Sequence, residues 1–286
     1  MSDIHENQAE LSMKTNKFIS IAVCAGLLFG CGDDTTSFEN TDSSSSSNGG
    51  APVAPNAKAS PGGIWHGMDP DGGSISMVVT ETGRFHYVDA DLSQGSGVLS
   101  VSDANEIEGN FQIVTPLGSS FEDGTTSKFC SLSGAVVERQ TMTINVDCSN
   151  LAGLQDTVEA TLSNKELYER DSSLAAIGGN YDGDKIVLDV AGDGAIFSQD
   201  PGTGCVVNGQ VSIIDNAFNA YDVEFTYSNC TEQAAILNGS DFVGIALLDD
   251  TVLPEALFVT AIGNIDGDVP SFEGNFVSFV ETLERL

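Results

Sequence analysis

The chain has 286 residues, 42 of them acidic and 10 basic, which gives a formal net charge of −32. This charge excludes nucleic acid as a partner, because too few lysines and arginines are present to neutralise a run of phosphates. Electrostatic docking to anionic lipid head groups is excluded for the same reason. The length accommodates one large domain or two small ones.

The N-terminal residues 1–30 have the features of a secretion signal. Residues 13–17 are basic, and residues 18–29 form an uncharged apolar run of twelve. A membrane-spanning helix needs about 20 such residues, so this run is typical of a cleaved signal peptide and not of a span. Residues 1–12 are polar and acidic, unlike the start of a signal peptide, and we therefore expect the natural start to be Met13.

The signal ends in Leu28-Phe29-Gly30-Cys31, which resembles the lipobox of bacterial lipoproteins. That resemblance implies a diacylglyceryl group on the Cys31 sulfur, cleavage before Cys31 and acylation of its new amine. Phe29 stands where the family usually has a small residue. Gly32 follows the cysteine, and in this family a residue other than aspartate there implies the outer membrane. Several acyl chains give a stable anchor. The expected location is therefore the outer membrane, facing either the periplasm or the cell surface.

Residues 31–62 are predicted to be a disordered spacer behind the anchor. Serines fill positions 43–47 without interruption, and glycines and prolines follow them. Such a composition cannot bury a core and behaves as a flexible chain. Its expected role is to hold the folded part of the protein clear of the membrane.

From Ile64 onward, apolar residues alternate with polar ones, which is the period of β-strands. Short Asp-Gly and Thr-Gly turns separate the alternating runs. The pattern predicts an all-β protein of about sixteen antiparallel strands. Only residues 165–177 have helical character. The clearest alternating positions are Ile107, Phe111 and Ile113; Met142, Ile144 and Val146; Val158, Ala160 and Leu162; Ile186, Leu188 and Val190; Val223, Phe225 and Tyr227.

The helical stretch separates two similar halves, which indicates a duplicated domain. Each half opens with Gly-x-aromatic-x-Gly, at residues 63–67 and again at residues 179–183. We therefore expect two tandem small antiparallel barrels or sandwiches. The predicted boundaries are 63–165 for the first β-domain, 166–178 for the connecting helix and 179–286 for the second β-domain.

Four cysteines remain once Cys24 in the signal and Cys31 are set aside, and an even number in an exported protein predicts disulfides. Local spacing favours Cys130–Cys148 and Cys205–Cys230. In the first pair, the hairpin centres on Arg139 and both cysteines share the apolar face of their strands. In the second pair, Cys205 lies on the apolar face of its strand, whereas Cys230 lies on a polar face. Either a bulge shifts the register or the bridge lies at the strand ends.

The start of the first half resembles avidin-type and lipocalin-type barrels. The resemblance rests on Gly63-Ile64-Trp65, on Gly73-Ser74 and on residues 83–87, and covers some 25 residues. In those families a Gly-x-Trp opens the first strand, and the tryptophan plugs one end of the barrel. Trp65 is the only tryptophan, and Gly67 stands where avidins have asparagine. The resemblance therefore implies a topology and a buried Trp65, but not biotin binding.

Metal and catalytic signals are weak. His66 and His86, with Asp69, Asp71, Asp89 and Asp91 nearby, could hold a metal, but we expect ordinary strand and turn residues on non-adjacent strands. The Asp-Gly segments at 69–72, 182–184 and 264–268 suggest weak calcium binding or hairpin turns, of which turns are the common case. Hydrolase and nucleotide-binding motifs are missing. We therefore predict no metal site and no cofactor.

The sequence predicts a non-catalytic envelope lipoprotein that binds a partner through its barrel loops, as an adhesion or binding module. Lipid-anchored tandem barrels on a stalk resemble, in layout, surface lipoproteins of Gram-negative bacteria that capture host proteins or ligands. One alternative is a lipocalin-like carrier of a small apolar ligand, and another is an envelope hydrolase. A carrier requires an apolar cavity of some 300 Å³ or more. A filled core with an exposed aromatic patch would instead favour a protein partner.

Overall fold

The computed structural model describes residues 58–149, 155–184, 186–265 and 276–286. The described chain is nearly all β, with sixteen strands in two closed antiparallel barrels of eight strands each. One short helix lies between the barrels. The predicted fold class is thereby confirmed, with barrels rather than sandwiches. The predicted signal peptide, Cys31 and most of the spacer lie outside the described residues.

Barrel 1 is a meander in which each strand pairs with the next, and β1 closes the ring by pairing with β8. Its strands are β1 (Gly63–Met68), β2 (Ser74–Val79), β3 (Arg84–Val88), β4 (Gln94–Val101), β5 (Glu106–Val114), β6 (Ser127–Val137), β7 (Thr141–Ser149) and β8 (Gln155–Lys165).

Barrel 2 has the same connectivity, with β9 closing the ring between β10 and β16. Its strands are β9 (Gly179–Asp182), β10 (Val187–Val190), β11 (Ala195–Gln199), β12 (Val206–Ile213), β13 (Tyr221–Ser228), β14 (Asp241–Asp249), β15 (Ala256–Asn264) and β16 (Phe276–Arg285). A 3-10 helix over Glu232–Leu237 lies in the connection between β13 and β14.

The alternating positions face the barrel interiors as predicted. In β7, Met142, Ile144 and Val146 are buried in the core of barrel 1, and the residues between them point outward. The hairpin between β6 and β7 turns at Arg139, whose φ of 55° is in the left-handed region. A bend at this residue sets the register of the hairpin, and with it the facing of every side chain along both strands.

The connecting helix α1 covers only Leu174–Ile177, which is much shorter than the predicted helical stretch. Ser173 caps its N-terminus, because the Ser173 hydroxyl accepts a hydrogen bond from the backbone N–H of Ala176. Apart from one bond from the N–H of Tyr168 to the carbonyl of Lys165, the contacts of the preceding residues are mainly with barrel 2. The N–H of Ser172 donates to the carbonyl of Asn216, and Tyr168 is fully buried. Tertiary contacts thus override the local helical preference there. None of the helices in the described ranges has the length and apolarity needed to cross a membrane.

The repeated Gly-x-aromatic motif has the same role in both barrels. Trp65 is fully buried, and its Nε1 donates to the carbonyl of Pro61 at 3.0 Å. Tyr181 is also fully buried, and its hydroxyl donates to the carbonyl of Ile177 at 2.7 Å. Each aromatic ring therefore closes one end of its barrel and bonds to the carbonyl four residues before it. This shared geometry supports the interpretation of the two halves as a duplication.

The last five residues of the predicted spacer, 58–62, pack on barrel 1. Ala59 belongs to the core of the barrel, and its N–H donates to Oδ1 of Asn105 at 2.9 Å. The Ser60 hydroxyl donates to Glu81. These contacts cover the end of the barrel that Trp65 closes.

The two barrels pack against each other through their outer faces. Gln94 of β4 is completely buried at this contact, and its Nε2 donates to the carbonyls of Ala261 and Phe279 at 3.0 and 2.8 Å. Its Oε1 accepts a hydrogen bond from the Thr260 hydroxyl at 2.5 Å. One amide of barrel 1 therefore satisfies three groups on β15 and β16 of barrel 2.

Apolar and charged contacts extend this interface. A cluster of outward-facing side chains is shared by the barrels and by the connecting segment: Ile64, Val78, Tyr168, Ala220, Ile245 and Leu247. Beside this cluster, Arg84 of barrel 1 pairs with Asp222 of barrel 2. Burial of these side chains stabilises one relative placement of the barrels.

Replacing Gln94 with leucine should strongly destabilise the protein. Gln94→Leu keeps the side-chain volume but leaves the Thr260 hydroxyl and two carbonyls without their partner. Each unsatisfied buried group costs about 1–3 kcal/mol. We expect the free energy of unfolding to fall by roughly 3 kcal/mol or more and Tm by about 10 °C, as measured by circular dichroism.

Gln112→Leu is the matched control. The Nε2 of Gln112 is buried and bonds to none of the described residues. Removing this amide should leave Tm within about 3 °C of the wild-type value or raise it. Equal Tm values for the two variants would contradict a structural role for Gln94.

Candidate functional site

The two predicted cysteine pairs are both at disulfide distance. The sulfurs of Cys130 and Cys148 are 1.98 Å apart, and those of Cys205 and Cys230 are 2.04 Å apart. Cys31, the predicted lipidation residue, lies outside the described residues.

The first pair sits within the ladder of β6 and β7, where Cys130 lies directly opposite Cys148. The second pair lies at the strand ends, which is one of the two arrangements that the sequence left open. Val207 pairs with Tyr227, so Cys205 stands opposite Asn229, and Cys230 lies one residue further on. The bridge thus joins the loop after β11 to the loop after β13. The first bridge joins the sixth and seventh strands of barrel 1, whereas the second lies at the ends of the fourth and fifth strands of barrel 2. The two cysteine hairpins are therefore not at equivalent positions.

The histidines do not form a common site. His66 on β1 is exposed, and its Nδ1 lies 2.6 Å from the Ser76 hydroxyl. His86 on β3 is buried beside Gln94 at the contact between the barrels. Strand β2 separates them, as the meander predicted. Among the described residues, no three histidine, cysteine or acidic side chains converge to hold a metal ion.

The aspartates near these histidines stabilise turns. Oδ1 of Asp69 accepts hydrogen bonds from the N–H groups of Asp71 and Gly73 at 3.0 and 2.7 Å. Oδ1 of Asp89 accepts the equivalent bonds from Asp91 and Ser93. Side-chain caps of this kind are the usual reason for aspartate in hairpin loops. The third Asp-Gly segment includes Asp266 and Asp268, which lie outside the described residues.

Apolar side chains line the interior of barrel 1. A continuous apolar cluster extends from Trp65 at the closed end through Phe85 and Phe111. At the opposite end, Phe121 of the loop between β5 and β6 packs against this cluster, and the ammonium of Lys128 lies 4.6 Å from its ring centroid. The long loop therefore acts as a lid over barrel 1.

Barrel 2 contains a cavity of about 350 Å³ at the end opposite Tyr181. We call it the mouth cavity. Its described walls come from the barrel interior, from the connections after β9, β11 and β13, and from the loop after β5 of barrel 1. The lining residues are Pro116, Leu117, Ile186, Ser198, Asp200, Thr203, Cys205, Val207, Tyr227, Ala234, Leu237, Phe242, Val277, Ser278 and Phe279. Most of these side chains are apolar, as in sites that bind small molecules.

Tyr227, Phe242 and Phe279 line one wall of the mouth cavity, and Phe225 packs against the rings of this wall. Phe242 stacks on Phe225 with ring centroids 4.9 Å apart. Tyr227 meets Phe242 edge-on at 5.4 Å, and Phe279 meets Phe225 edge-on at 5.2 Å. Such pairs have few rotamers and hold one another in place. This wall is therefore preformed.

The polar groups of the mouth cavity are few. The hydroxyls of Ser198 and Tyr227 are not hydrogen bonded to any other described residue. Burial raises the pKa of the Tyr227 hydroxyl to about 12, with a further contribution from the carboxylate of Glu281. Asp200 stands at the rim. Hydrogen bonds from the Thr203 hydroxyl and the Gly202 N–H lower the pKa of its carboxyl group.

The disulfide and the 3-10 helix together frame the opening. Cys205 lines the mouth cavity, and its bridge to Cys230 holds the loop that leads into the 3-10 helix. Asn238 stabilises the same loop, because its side chain exchanges hydrogen bonds with the backbone of Cys230 at 2.8 and 2.9 Å. Ala234 and Leu237 of the 3-10 helix then face the cavity.

Barrel 1 contributes to the mouth cavity of barrel 2. The N–H of Ser278 donates to the carbonyl of Thr115 at 3.2 Å, and Pro116 forms a parallel β-bridge with Ser278. The Ser278 hydroxyl donates to the carbonyl of Leu92 at 2.9 Å. These bonds position Leu117, about half exposed, over one side of the opening. The site is therefore composite, and its geometry depends on how the two barrels pack.

Sequence reasoning found part of this site. Alternation placed Tyr227 and Phe225 on the inner face of β13, and the spacing of the cysteines found the bridge at the rim. It missed Leu117, Ala234 and Leu237, which belong to connections rather than strands. No local pattern distinguishes a loop that covers its own barrel from one that reaches its neighbour.

The chain matches no protein-family model, and no curated protein is significantly similar to it in sequence. The functional argument therefore rests on the geometry of the mouth cavity.

The buried His86 should make stability fall as the pH falls. Burial, assisted by the nearby Arg84 charge, lowers the pKa of His86 to about 4. Because an unfolded histidine titrates near 6.5, the unfolded state takes up a proton first as the pH drops. We expect His86 to lower the free energy of unfolding by about 3 kcal/mol as the pH falls from 7.5 to 4.

Chemical denaturation of wild type and His86→Leu across this pH range measures the effect, because their difference isolates His86. Burial raises the pKa of Asp89 to about 6. Protonation of Asp89 therefore raises the free energy of unfolding as the pH falls, in wild type and in His86→Leu alike. Its effect cancels when the two proteins are subtracted. His66→Leu is the comparison variant. Partial burial, with the Lys165 charge, also lowers the pKa of His66, so its difference from wild type should have the same sign but be smaller, because His66 is the more exposed of the two histidines. A difference between wild type and His86→Leu that does not change with pH would show that His86 remains protonatable in the fold.

Proposed function

We propose that this chain is a non-catalytic binding protein of the bacterial envelope, anchored through Cys31, whose second barrel binds a small apolar ligand in the mouth cavity. The observation that carries the proposal is the cavity itself. Its volume of about 350 Å³ exceeds the size that a carrier requires, and its lining is largely apolar. Barrels of eight strands either fill with side chains or hold one small ligand, and the mouth cavity is what supports the second case for barrel 2.

The polar groups of the cavity favour binding over catalysis. Among the described lining residues, the aliphatic hydroxyls are those of Ser198, Thr203 and Ser278, and none of those lining residues is a histidine or a lysine that could activate a hydroxyl for attack. The Thr203 hydroxyl donates to the carboxylate of Asp200, and the lowered pKa of that carboxyl group makes it a weak base. In such surroundings the hydroxyls orient a ligand through hydrogen bonds.

The surface favours a small ligand over the adhesion hypothesis. An adhesion module was expected to carry an exposed aromatic patch. Phe197 is the only aromatic side chain in the described ranges that is exposed, and the other exposed apolar residues are spread over both barrels. Scattered exposed apolar residues are ordinary for a folded surface.

The predicted anchor fits an apolar ligand. A lipid group on Cys31 and a spacer of residues 32–57 would hold the barrels near a membrane, where apolar molecules concentrate. A tethered carrier with an open cavity could take up such molecules there without inserting a strand or helix of its own.

Filling the mouth cavity should abolish binding. Ala234→Trp projects a large ring into the cavity from the 3-10 helix, which lies outside the barrel hydrogen-bond ladder. We expect the fluorescence enhancement of the neutral probe N-phenyl-1-naphthylamine to be saturable with wild type and to be lost with Ala234→Trp. The full chain carrying Cys31→Ser, which lacks the predicted acylation site, is the protein to use.

The neighbouring Ala235 is exposed and does not line the cavity, so Ala235→Trp is the matched control. It should bind the probe as wild type does. Absence of saturable binding to wild type, or equal binding by both tryptophan variants, would refute the proposed site.

The composite nature of the site gives a second test. Leu117→Ser removes an apolar side chain that barrel 1 contributes to the opening. We expect the Kd of the probe to rise about fivefold, which corresponds to partial loss of one buried leucine side chain. Val98→Ser changes an exposed residue on the outer face of the same barrel and should leave the Kd unchanged. An unchanged Kd for Leu117→Ser would mean that barrel 2 binds without help from barrel 1.

A further inference from the structure

Barrel 2 contains a second, much smaller space, which we call the inner void. Its described lining consists of apolar side chains, those of Ile186, Leu188, Ile196, Val207, Val223, Phe225, Val259 and Phe279. Its volume of about 10 Å³ is at the lower limit of what one water molecule needs, and a void with only apolar walls does not attract water. What the inner void implies rests on the proposed function, because it concerns the length of the ligand that the mouth cavity binds.

The inner void lies one layer of side chains deeper than the mouth cavity, along the axis of the barrel. Inward-facing residues alternate along a strand, so the next layer begins two residues further on, about 6.6 Å along the strand. On β11 the mouth cavity is lined by Ser198 and the inner void by Ile196. On β13 the same step leads from Tyr227 to Phe225. The two spaces therefore follow one another in a line that points toward the closed end of the barrel.

Three side chains separate the two spaces. Ile186, Val207 and Phe279 line both the mouth cavity and the inner void. Phe279 is the largest of the three and is half-buried. Its ring meets Phe225 edge-on at 5.2 Å, and its centroid lies 6.4 Å from that of Phe242. Phe279 therefore forms the main part of the floor of the mouth cavity.

The position of this floor is fixed by the backbone. The Gln94 amide of barrel 1 donates to the carbonyls of Phe279 and of its ladder partner Ala261. The backbone of Phe279 cannot slide along the barrel axis without breaking these bonds. At the same level of the ladder, the next residue across is Gly244. Ala261 and Gly244 are too small to fill the space that loss of the Phe279 ring would leave.

We infer that the mouth cavity holds one linear apolar chain aligned with the barrel axis, and that Phe279 sets the maximum length of this chain. The head group would lie at the opening, near the hydroxyls of Ser198 and Tyr227, and the tail would end against Phe279. Each methylene group that the cavity buries increases the affinity about fourfold. A methylene group that no longer fits above the floor stays in water and adds nothing.

A series of straight-chain primary alcohols, from hexanol to dodecanol, tests this inference. Each alcohol displaces N-phenyl-1-naphthylamine from the full chain carrying Cys31→Ser, and each result is corrected for the probe affinity of the variant used. For wild type, we expect the affinity to rise about fourfold per carbon and then to level off at one chain length, the length limit. Ala234→Trp provides the background for each alcohol.

Opening the floor should shift the length limit. Phe279→Ala joins the mouth cavity to the inner void, so we expect a longer length limit. Alcohols beyond the wild-type limit should bind this variant about fourfold more tightly for each additional carbon that is buried. Because loss of the whole ring could weaken folding, Phe279→Leu is the second variant and should extend the limit by fewer carbons. Circular dichroism checks the folding of both.

Val259→Ala is the matched control. Val259 lines the inner void but not the mouth cavity, so its replacement enlarges the deeper space and leaves the floor closed. The length limit should stay at the wild-type value. If Val259→Ala extends the limit as far as Phe279→Ala does, Phe279 is not the floor and the inference is overturned.

The remaining outcomes separate this inference from the proposed function. A length limit that neither Phe279 variant extends would overturn the role of Phe279 while leaving ligand binding in the mouth cavity intact. A wild-type affinity that keeps rising through dodecanol, or that does not depend on chain length, would do the same. Failure of the probe to bind to wild type would overturn the proposed function together with this inference.

Discussion

The buried amide of Gln94 is the interaction on which the site depends most directly. It bonds to the carbonyl of Phe279, which lines the mouth cavity, and to two groups on the neighbouring strand β15. A rotation of one barrel against the other would break all three bonds at once, and each broken bond would leave a polar group buried. The bond from Ser278 to Thr115 then places Leu117 against the opening. The contact between the barrels therefore positions residues that line the mouth cavity, and a shift of one barrel against the other would change the shape of the cavity.

The two barrels share a plan but differ in how their open ends are finished. In each, the aromatic residue of the Gly-x-aromatic motif closes one end and donates to the carbonyl four residues before it. At the other end, barrel 1 has a loop that folds inward and places Phe121 on its own core. The corresponding region of barrel 2 forms a 3-10 helix, held in place by the Cys205–Cys230 bridge and by Asn238, and its Leu237 packs against the core of that barrel. Ala234 and Leu237 of this helix also line the mouth cavity. The two barrels thus share their strand order and differ in the conformation of the loop that covers the open end.

Much of the fold could be predicted from the sequence because alternation is a local property. The burial of Met142, Ile144 and Val146 follows from the spacing of apolar residues, and the turn at Arg139 follows from the midpoint between Cys130 and Cys148. The predicted helix was too long, because the contacts of Tyr168 and Ser172 with barrel 2 are not visible in local sequence. The exact position of the second disulfide stayed open, because a single-residue shift in register reverses which residues face inward. The cavity could not be predicted at all. Its existence depends on volume left over after two loops and a neighbouring barrel have packed, and sequence alone does not give that volume.

The overall charge of this protein and the lining of its mouth cavity have different consequences. A net charge of −32 is spread over the surface, where salt screens interactions beyond about 10 Å and where it chiefly favours solubility. The described lining of the mouth cavity is largely apolar, and its acidic member, Asp200, stands at the rim. Binding of a neutral apolar ligand there depends on buried apolar area, which salt does not screen. The affinity of the cavity for such a ligand should therefore persist at salt concentrations that weaken interactions between surface charges. The charge of the chain governs its solubility, and the shape of barrel 2 governs what it binds.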